Sequence, residues 1–205
     1  YGALIETEGK RLTDMVEQTL ALAGLSGSRR PPSQQPLDAG DLVRGVIASP
    51  ETSAQAGDVA FEVRVAEELP LVQADEMLLR RGVQNLIANA LKYGRSGGWI
   101  GVTVDAHGWR GGREVRIAVS DRGPGIAAED LPHIFEPFYR GRRAVSEQVQ
   151  GNGLGLHLVK RIAEAHGGRV TVRSAPGEGA AFVIHIPAWG DPALQPLGGE
   201  QPQHS

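Results

Sequence analysis

Alternation of polar and apolar residues is the feature that most constrains how this chain can fold. The stretches VAFEVRVA, WIGVTVDA and EVRIAVSD alternate between the two classes, and a period of two predicts β-strands with one buried face. The last two of these are predicted to form a hairpin through HGWRGG, and RVTVRSA with AAFVIHIP predicts a second hairpin. LPLVQAD predicts one further short strand.

Helical patterns separate these strands. Asp75 is placed to cap a helix from Glu76 to about Tyr93. A second helix, from about Leu154 to His166, is followed by two glycines that suit a C-terminal cap, and AAEDLPHIF predicts a short third one. Together, the elements predict an α/β fold in which a mixed, mostly antiparallel sheet carries helices on one face.

The first segment, IETEGKRLTDMVEQTLALAGL, predicts an amphipathic helix because its apolar residues recur at spacings of three, four or seven. Packing against a partner helix and packing on its own domain explain that pattern equally well. GSRRPPSQQP then ends the helix as a linker or strand approach. We therefore predict a helix and linker over residues 1–30, a folded domain over 31–188 and a disordered tail over 189–205.

Charge and composition exclude several functions. A formal net charge of -3 over 205 residues argues against nucleic-acid binding. The absence of cysteine excludes disulfides, thiolate chemistry and cysteine zinc sites. No apolar run reaches the length of a membrane span, so the sequence predicts a soluble chain. Because it starts at Tyr1 rather than Met, we expect a fragment or processed product, with any membrane segment upstream.

Three glycines stand directly before a predicted helix in GNGLGLHLVK, residues 151–160. Backbone N–H groups at a helix N-terminus, together with the helix dipole, favour phosphate binding. A plain loop is the alternative, and a glycine-rich turn alone does not decide between them.

One face of the helix after Asp75 is unusually polar. Asn85, Asn89 and Lys92 lie four and three residues apart, with Tyr93 beside them. Amide oxygens can ligate Mg²⁺ and a lysine can balance phosphate charge. A solvated helix face is the alternative, although asparagine forms helices poorly.

An aspartate lies at the end of a predicted strand. Asp121 falls on the same strand face as Val115, Ile117 and Val119, where a carboxylate is costly unless something donates to it. The amino group of an adenine is a suitable donor, and the glycines of DRGPGI allow a ring close to the backbone. A local Asp-Arg-Gly-Pro-Gly turn is the alternative.

Four stretches in order resemble the sequence boxes of sensor histidine kinases. NLIANALKY resembles the N box, DRGPGI the G1 box, IFEPFYRG the F box and GNGLGLHLVKRIAEAHGG the G2 box, over roughly residues 38–188. The resemblance implies a two-layer α/β sandwich of the Bergerat (GHKL) type, a catalytic domain that binds ATP and Mg²⁺ under a lid. It also implies that the first helix is the second helix of a dimerization and phosphotransfer hairpin.

The resemblance implies specific residue roles. Asn89, assisted by Asn85, would ligate Mg²⁺. Asp121 would accept a hydrogen bond from the amino group of the adenine, and Tyr93 would stack near that base. The residues implied in catalysis are Asn89, Lys92 and Arg140. The residues implied in nucleotide binding are Asn85, Asn89, Lys92, Tyr93, Asp121, Gly123, Gly125, Ile126, Gly151, Gly153, Leu154, Gly155 and Leu156.

The lid implied by the resemblance is a mobile segment from Gly141 to Gly153, and Gly151, Gly153 and Gly155 would act as its hinges. Two departures from the family pattern stand out. Ala180 and Ala181 occupy the place of a hydroxyl residue near the adenine. In addition, none of the six histidines has the His-Glu/Asp context of a phosphoacceptor.

Related ATPases carry a glutamate base four residues before the magnesium asparagine, where this chain has Asn85. A neutral amide does not accept a proton, which favours transfer to a positioned nucleophile over ATP hydrolysis. An anti-sigma-factor-like serine kinase of the same fold is an alternative that the N-terminal helix disfavours. A non-catalytic module for nucleotide sensing or dimerization is another.

The resemblance therefore implies the ATP-binding catalytic part of a bacterial two-component sensor histidine kinase. It would transfer the γ-phosphoryl group of ATP to a histidine outside this segment, in the same or a partner chain. A response regulator would receive the group next. We expect a homodimer in the full-length protein, a cytoplasmic location with inner-membrane anchoring through upstream segments, and no nucleic-acid partner.

Overall fold

The computed structural model describes residues 33–109, 112–141 and 151–190, with positions 9, 13, 15, 16, 18–20 and 22–25 of the first segment. Those described positions of the first segment are all helical, in agreement with the amphipathic helix predicted there. None of the helices in the described part of the chain combines the length and hydrophobicity of a membrane-spanning segment.

Five strands form the main sheet in the order β2-β4-β5-β7-β6. Strands β2 and β4 are parallel, whereas every other neighbouring pair is antiparallel, so the predicted mixed, mostly antiparallel sheet is confirmed. The short strands β1 and β3 pair with each other in a separate antiparallel sheet. The strands are β1 (Gln35–Leu37), β2 (Ala60–Val65), β3 (Val72–Ala74), β4 (Trp99–Trp109), β5 (Gly112–Asp121), β6 (Arg169–Ser174) and β7 (Ala180–Pro187).

Two of the predicted helices occur where expected. The helix α3 (Glu76–Tyr93) begins at Asp75, whose side chain accepts a hydrogen bond from the Leu78 N–H at 3.1 Å. The helix α4 (Gly155–Ala165) ends before Gly167, which has a left-handed φ of +68°. Glycine adopts this conformation without steric cost and so terminates the helix.

Two further helices, α1 (Ala39–Ile47) and α2 (Pro50–Ala56), were not predicted. Both begin with recognisable caps. Asp38 accepts hydrogen bonds from the backbone of residues 40 and 41 at 2.7 and 3.0 Å, and Ser49 precedes a proline in the first turn of α2. Ser49 followed by Pro50 is a helix start signal that is visible in the sequence.

The predicted short helix in AAEDLPHIF is wrong, because residues 128–135 form consecutive turns. Backbone hydrogen bonds from Asp130 to Ala127 and from His133 to Asp130 span three residues, and a single bond from Leu131 to Ala127 spans four. Pro132 has no N–H to donate, so a continuous helical ladder is broken in the middle of this stretch.

The core lies between the helices and one face of the main sheet. Helix α3 packs on β5, helix α4 packs on β6 and β7, and the two helices contact each other. Fully buried side chains include Leu79 and Leu86 from α3, Ile162 from α4, and Ile117 and Ile184 from the sheet. This packing places the second half of α3, the end of β5 and the start of α4 around one region of the molecule.

The predicted tail starts at Trp189, whose backbone N–H donates to the Leu71 carbonyl at 2.7 Å. This residue is thereby joined to the folded domain next to β3. The rest of the predicted tail, residues 191–205, lies outside the described residues.

Candidate functional site

A cleft of about 390 Å³ opens beside the second half of α3, a size that suits a small-molecule ligand. Its wall is largely apolar, with a few polar groups among the apolar ones. Of the residues that sequence reasoning assigned to the site, those lining the cleft are Asn89, Lys92, Tyr93, Asp121, Gly125, Ile126, Arg140 and Leu156. Sequence reasoning also placed Ala180 near the adenine and Gly141 at the start of the lid, and both line the cleft. It missed the others, which are Pro124, Ala127, Asp130, Ile134, Tyr139, Pro176 and Phe182.

Asp121 ends β5 opposite Ala180 of β7. Burial raises the pKa of the Asp121 carboxyl, while hydrogen bonds from the Gly123 and Ala180 backbone oppose the rise. The Gly123 bond measures 2.8 Å, so the local turn proposed as an alternative is present. The carboxyl nevertheless lines the cleft, which leaves acceptor capacity for a donor on a ligand.

Glycines leave space for the Asp121 residue. A Cβ at Gly94 would lie 2.6 Å from the Asp121 Cγ, and a Cβ at Gly179 would collide with the Asp121 carbonyl oxygen. Gly125, with φ of +71°, is packed against the Ala175 carbonyl in the same way. The absence of side chains here lets backbone segments converge at the end of the cleft.

The polar face of α3 meets the glycine-rich turn. Asn89 and Lys92 line the cleft, and the Lys92 Nζ lies 4.6 Å from the centroid of the Tyr93 ring. One turn earlier, the Asn85 Nδ2 donates to the Arg81 carbonyl at 2.9 Å. Its Oδ1 would lie 3.1 Å from a Cβ at Gly155. Asn85 therefore does not line the cleft but borders the start of α4.

The start of α4 has the form of an anion site. Leu154 is its N-cap residue and provides no side-chain cap, although its own N–H donates to the Asn152 Oδ1 at 3.0 Å. Uncapped N–H groups in a first turn favour negative charge. Gly151 approaches the Lys92 ammonium so closely that a Cβ there would collide with it.

One hydrogen bond connects the F-box stretch to the glycine-rich turn, and a second connects it to the first turn of α4. The Phe138 N–H donates to the Gly153 carbonyl at 3.0 Å, and the His157 Nδ1 lies 3.0 Å from the Phe135 carbonyl oxygen. Residues 142–150 of the predicted lid lie outside the described residues. The mobility predicted for the lid from Gly141 to Gly153 therefore stays a prediction.

Mg²⁺ fits the donors available near the cleft. Within the described residues, no three His, Cys, Asp or Glu side chains form a group that could hold a metal ion. Oxygen donors from Asn85 and Asn89 remain, and Mg²⁺ is commonly held by few protein oxygens together with phosphates and water. The described residues thus suit a metal that arrives with a phosphate ligand rather than one held in a protein cage.

Sequence comparison finds a matching family model and related proteins. The family model for histidine kinase-, DNA gyrase B- and HSP90-like ATPases matches residues 74–190. The sensor-like histidine kinase SenX3 of Mycobacterium tuberculosis (strain ATCC 25618 / H37Rv) is 35% identical over 181 residues, which are 88% of this chain and 43% of SenX3. The chain thus spans less than half the length of this curated relative.

Solved structures give the same result. Full-length ShkA, solved in complex with AMPPNP, superposes with a TM-score of 0.71 at 34% identity and covers 94% of this chain and 39% of ShkA. The mycobacterial sensor histidine kinase MprB superposes with a TM-score of 0.63 at 28% identity, over 76% of this chain and 97% of the MprB chain. The two-layer α/β architecture is therefore shared with histidine kinases.

Proposed function

Because this chain belongs to the family of histidine kinase-, DNA gyrase B- and HSP90-like ATPases, we propose that its cleft binds ATP with Mg²⁺ for phosphoryl transfer to histidine. The chain would be the catalytic part of a two-component sensor histidine kinase, the class to which SenX3 is assigned by name. The observation that carries the proposal is the convergence of Asp121, the Asn89–Lys92 face and the start of α4 on one cleft.

Recognition of the base begins at Asp121. Its half-buried carboxyl is held by the Gly123 N–H, and it accepts from the exocyclic amino group of adenine. The apolar wall, with Ile126 and Phe182, covers the ring faces, and Tyr93 stacks near the base. Ala180 lines this end of the cleft without a hydroxyl group, so the family's hydroxyl-mediated contact is replaced here by apolar contact.

The phosphates lie between α3 and the start of α4. Lys92 and Arg140 balance their charge, and the backbone at residues 154–156 donates to them. Asn89, assisted by Asn85, would hold Mg²⁺, which supplies charge neutralisation for the transferring phosphoryl group. Gly151, Gly153 and Gly155 keep side chains away from the phosphates.

Transfer to a histidine requires alignment more than a base in this domain. The amide of Asn85 is bonded to the Arg81 carbonyl and does not take a proton from water. The acceptor histidine would come from the hairpin domain of the same protein, whose second helix is the first segment of this chain. A response regulator would then receive the phosphoryl group.

The domain boundaries belong to the same proposal. Residues 1–30 would be part of the dimerization and phosphotransfer hairpin, 31–188 the catalytic domain and 189–205 a tail. The full-length protein would be a homodimer with this part in the cytoplasm and an anchor in the inner membrane upstream.

Phosphoryl transfer can be tested with the purified chain, radiolabelled ATP and a hairpin domain built from the protein's own upstream sequence. The expected result is a labelled hairpin whose label is stable to base and labile to acid, as phosphohistidine is. A label stable to acid would indicate a serine kinase. Binding of ATP without any labelled product would favour a nucleotide-sensing module, and release of phosphate alone would favour an ATPase.

A further inference from the structure

A buried carboxylate contacts both neighbours of Arg140 in the chain. Asp130 is 6% exposed although it lines the cleft. Its Oδ1 accepts a hydrogen bond of 2.7 Å from the Tyr139 hydroxyl. Its Oδ2 faces Gly141 so closely that a Cβ there would lie 2.7 Å away. One carboxylate therefore fixes the residues on both sides of Arg140.

The backbone just before Arg140 is strained. Phe138 has a φ of +64°, a left-handed conformation that is rare for a bulky residue and costs energy. Its side chain is 69% exposed, so packing of its own ring does not hold the conformation. Strain of this kind persists where surrounding contacts over-determine the backbone. Those contacts are the Phe138 N–H bond to Gly153 on one side and the Tyr139 bond to Asp130 on the other.

Gly153 is fitted to this strained corner. A Cβ there would lie 2.6 Å from the Phe138 carbonyl carbon and 2.7 Å from the Tyr139 carbonyl oxygen. The segment from Phe138 to Gly141 is thus confined between the glycine-rich turn and the Asp130 carboxylate. Arg140 lies within this confined segment and lines the cleft.

We propose that Asp130 is a positioning residue that holds Arg140 for recognition of the nucleotide's phosphates. This inference rests on the proposed function. An apolar side chain would fill the turn without the cost of burying a carboxylate. What the carboxylate adds is a fixed position for the Tyr139 hydroxyl and a close contact that only glycine at 141 permits. Because the segment around Arg140 is already ordered, Arg140 loses little conformational entropy when it contacts a phosphate.

Calorimetric titration of the purified chain with ATP plus Mg²⁺, and separately with adenosine, tests this role. The variants are Asp130→Ala, Asp130→Asn, Tyr139→Phe and the double variant Asp130→Ala/Tyr139→Phe. Asparagine keeps an oxygen that accepts from the tyrosine, whereas alanine does not. Glu67→Ala removes an exposed carboxylate elsewhere and is the matched control. Thermal unfolding of each variant shows whether it is folded.

We expect Asp130→Ala and Tyr139→Phe each to weaken ATP binding about tenfold, the effect of losing one hydrogen bond to a charged group. Adenosine affinity should stay within about twofold, because adenosine carries no phosphate for Arg140 to meet. Since both changes break the same bond, the double variant should resemble Asp130→Ala rather than add the two effects. Asp130→Asn and Glu67→Ala should bind ATP nearly as the native chain does.

Several results would overturn the positioning role. Equal losses for ATP and adenosine would mean that Asp130 supports the whole cleft or contacts the ribose. Additive losses in the double variant would mean that Asp130 and Tyr139 act separately. If Asp130→Ala does not fold, Tyr139→Phe decides alone, since it removes a single hydroxyl. A native chain that binds no ATP would remove the proposed function as well, whereas native binding with unaffected variants would remove only this inference.

Discussion

Asp121 is the residue on which the proposed recognition of the base depends most directly. Replacing it with asparagine keeps the shape but introduces an NH₂ group and removes the charge that favours a donor. We predict that Asp121→Asn weakens ADP binding by about 1–3 kcal/mol. Isothermal titration measures this loss, and unchanged affinity would rule out the adenine contact.

We predict that the same residue gives ADP binding a pH dependence. Burial raises the pKa of the Asp121 carboxyl, against the backbone bonds that lower it. The carboxylate therefore takes up its proton at a higher pH than an exposed aspartate does, and adenine binding should weaken as pH falls through that raised pKa. Loss of this dependence in the asparagine variant would attribute it to Asp121.

Asn89 is predicted to act through the metal rather than the base. Removing magnesium should weaken ATP binding more than adenosine binding, because only ATP supplies phosphate oxygens to the ion. Asn89→Ala should reproduce this selective loss with magnesium present, while an exposed change such as Glu67→Ala should not. A variant that transfers phosphate at the native rate would show that another group holds the metal.

Part of the cleft lining could be predicted from the sequence, because spacing, chemistry and the family resemblance point to the same positions. Asn89, Lys92 and Asp121 reach the cleft as expected. Asp130 could not be predicted in the same way. Its contact with Tyr139 depends on how the turns of residues 128–135 fold back, and no local period encodes that approach.

Among the connecting elements, the glycine-rich turn is sensitive to side-chain volume. Gly153 has φ of +73° and no space for a Cβ beside Phe138 and Tyr139. Gly153→Ala should therefore lower the free energy of unfolding by about 1–3 kcal/mol and slow phosphoryl transfer. Gly24→Ala is the control, since a Cβ at this helical position meets nothing within 4 Å. Urea unfolding compares the two, and equal stability would contradict the strain argument.

Strands β5, β6 and β7 share a partly buried ionic network of Glu114, Arg169 and His185. Burial raises the pKa of Glu114, but hydrogen bonds from Arg169 and His185 outweigh burial and leave the pKa lowered. The Arg169 bonds measure 2.7 and 3.1 Å, and the His185 Nδ1 lies 2.8 Å from the Glu114 Oε1.

A lowered carboxyl pKa predicts how stability depends on pH. The Glu114 contribution is complete above the pKa of glutamate in the unfolded chain, about 4.3, and is lost as pH falls through the lower folded value. Glu114→Gln should remove about 1–2 kcal/mol near neutral pH, a modest value because Arg169 is 42% exposed. Urea unfolding between about pH 3 and pH 7 checks this. The variant should show a smaller decline in acid than Glu67→Gln, and an identical decline would exclude the network as its cause.

At the scale of elements, regular periods predicted the long strands and the helices α3 and α4. The helices α1 and α2 are short, with nine and seven residues, so the apolar stripe of Leu42, Val43 and Val46 and the caps at Asp38 and Ser49 give weaker signals than the long elements do. The pairing of β1 with β3 is a contact between distant parts of the chain. Propensity along the chain carries no information on such a pairing.

For the whole molecule, the sequence predicted the two-layer architecture, but not the sheet order. The connection between the parallel strands β2 and β4 runs through β3 and α3, and alternation within a strand is the same for parallel and antiparallel neighbours. The chain's exposed apolar residues include Val16 at 57% and Leu20 at 66%, one helical turn apart in the first segment. This spacing accords with the proposed role of that helix in a dimer.

The hydrogen bonds that join the F-box stretch to the glycine-rich turn and to the first turn of α4 have a consequence for how the chain tolerates insertions. Phe138 is bonded to Gly153, and His157 to Phe135, so the ends of the connection over residues 142–150 are already held together by the folded domain. The entropy of closing a connection grows only with the logarithm of its length, about 0.6 kcal/mol for each doubling. A longer connection here therefore adds little to the free energy of loop closure. A reporter, a recognition peptide or a small domain could be inserted there, beside the cleft.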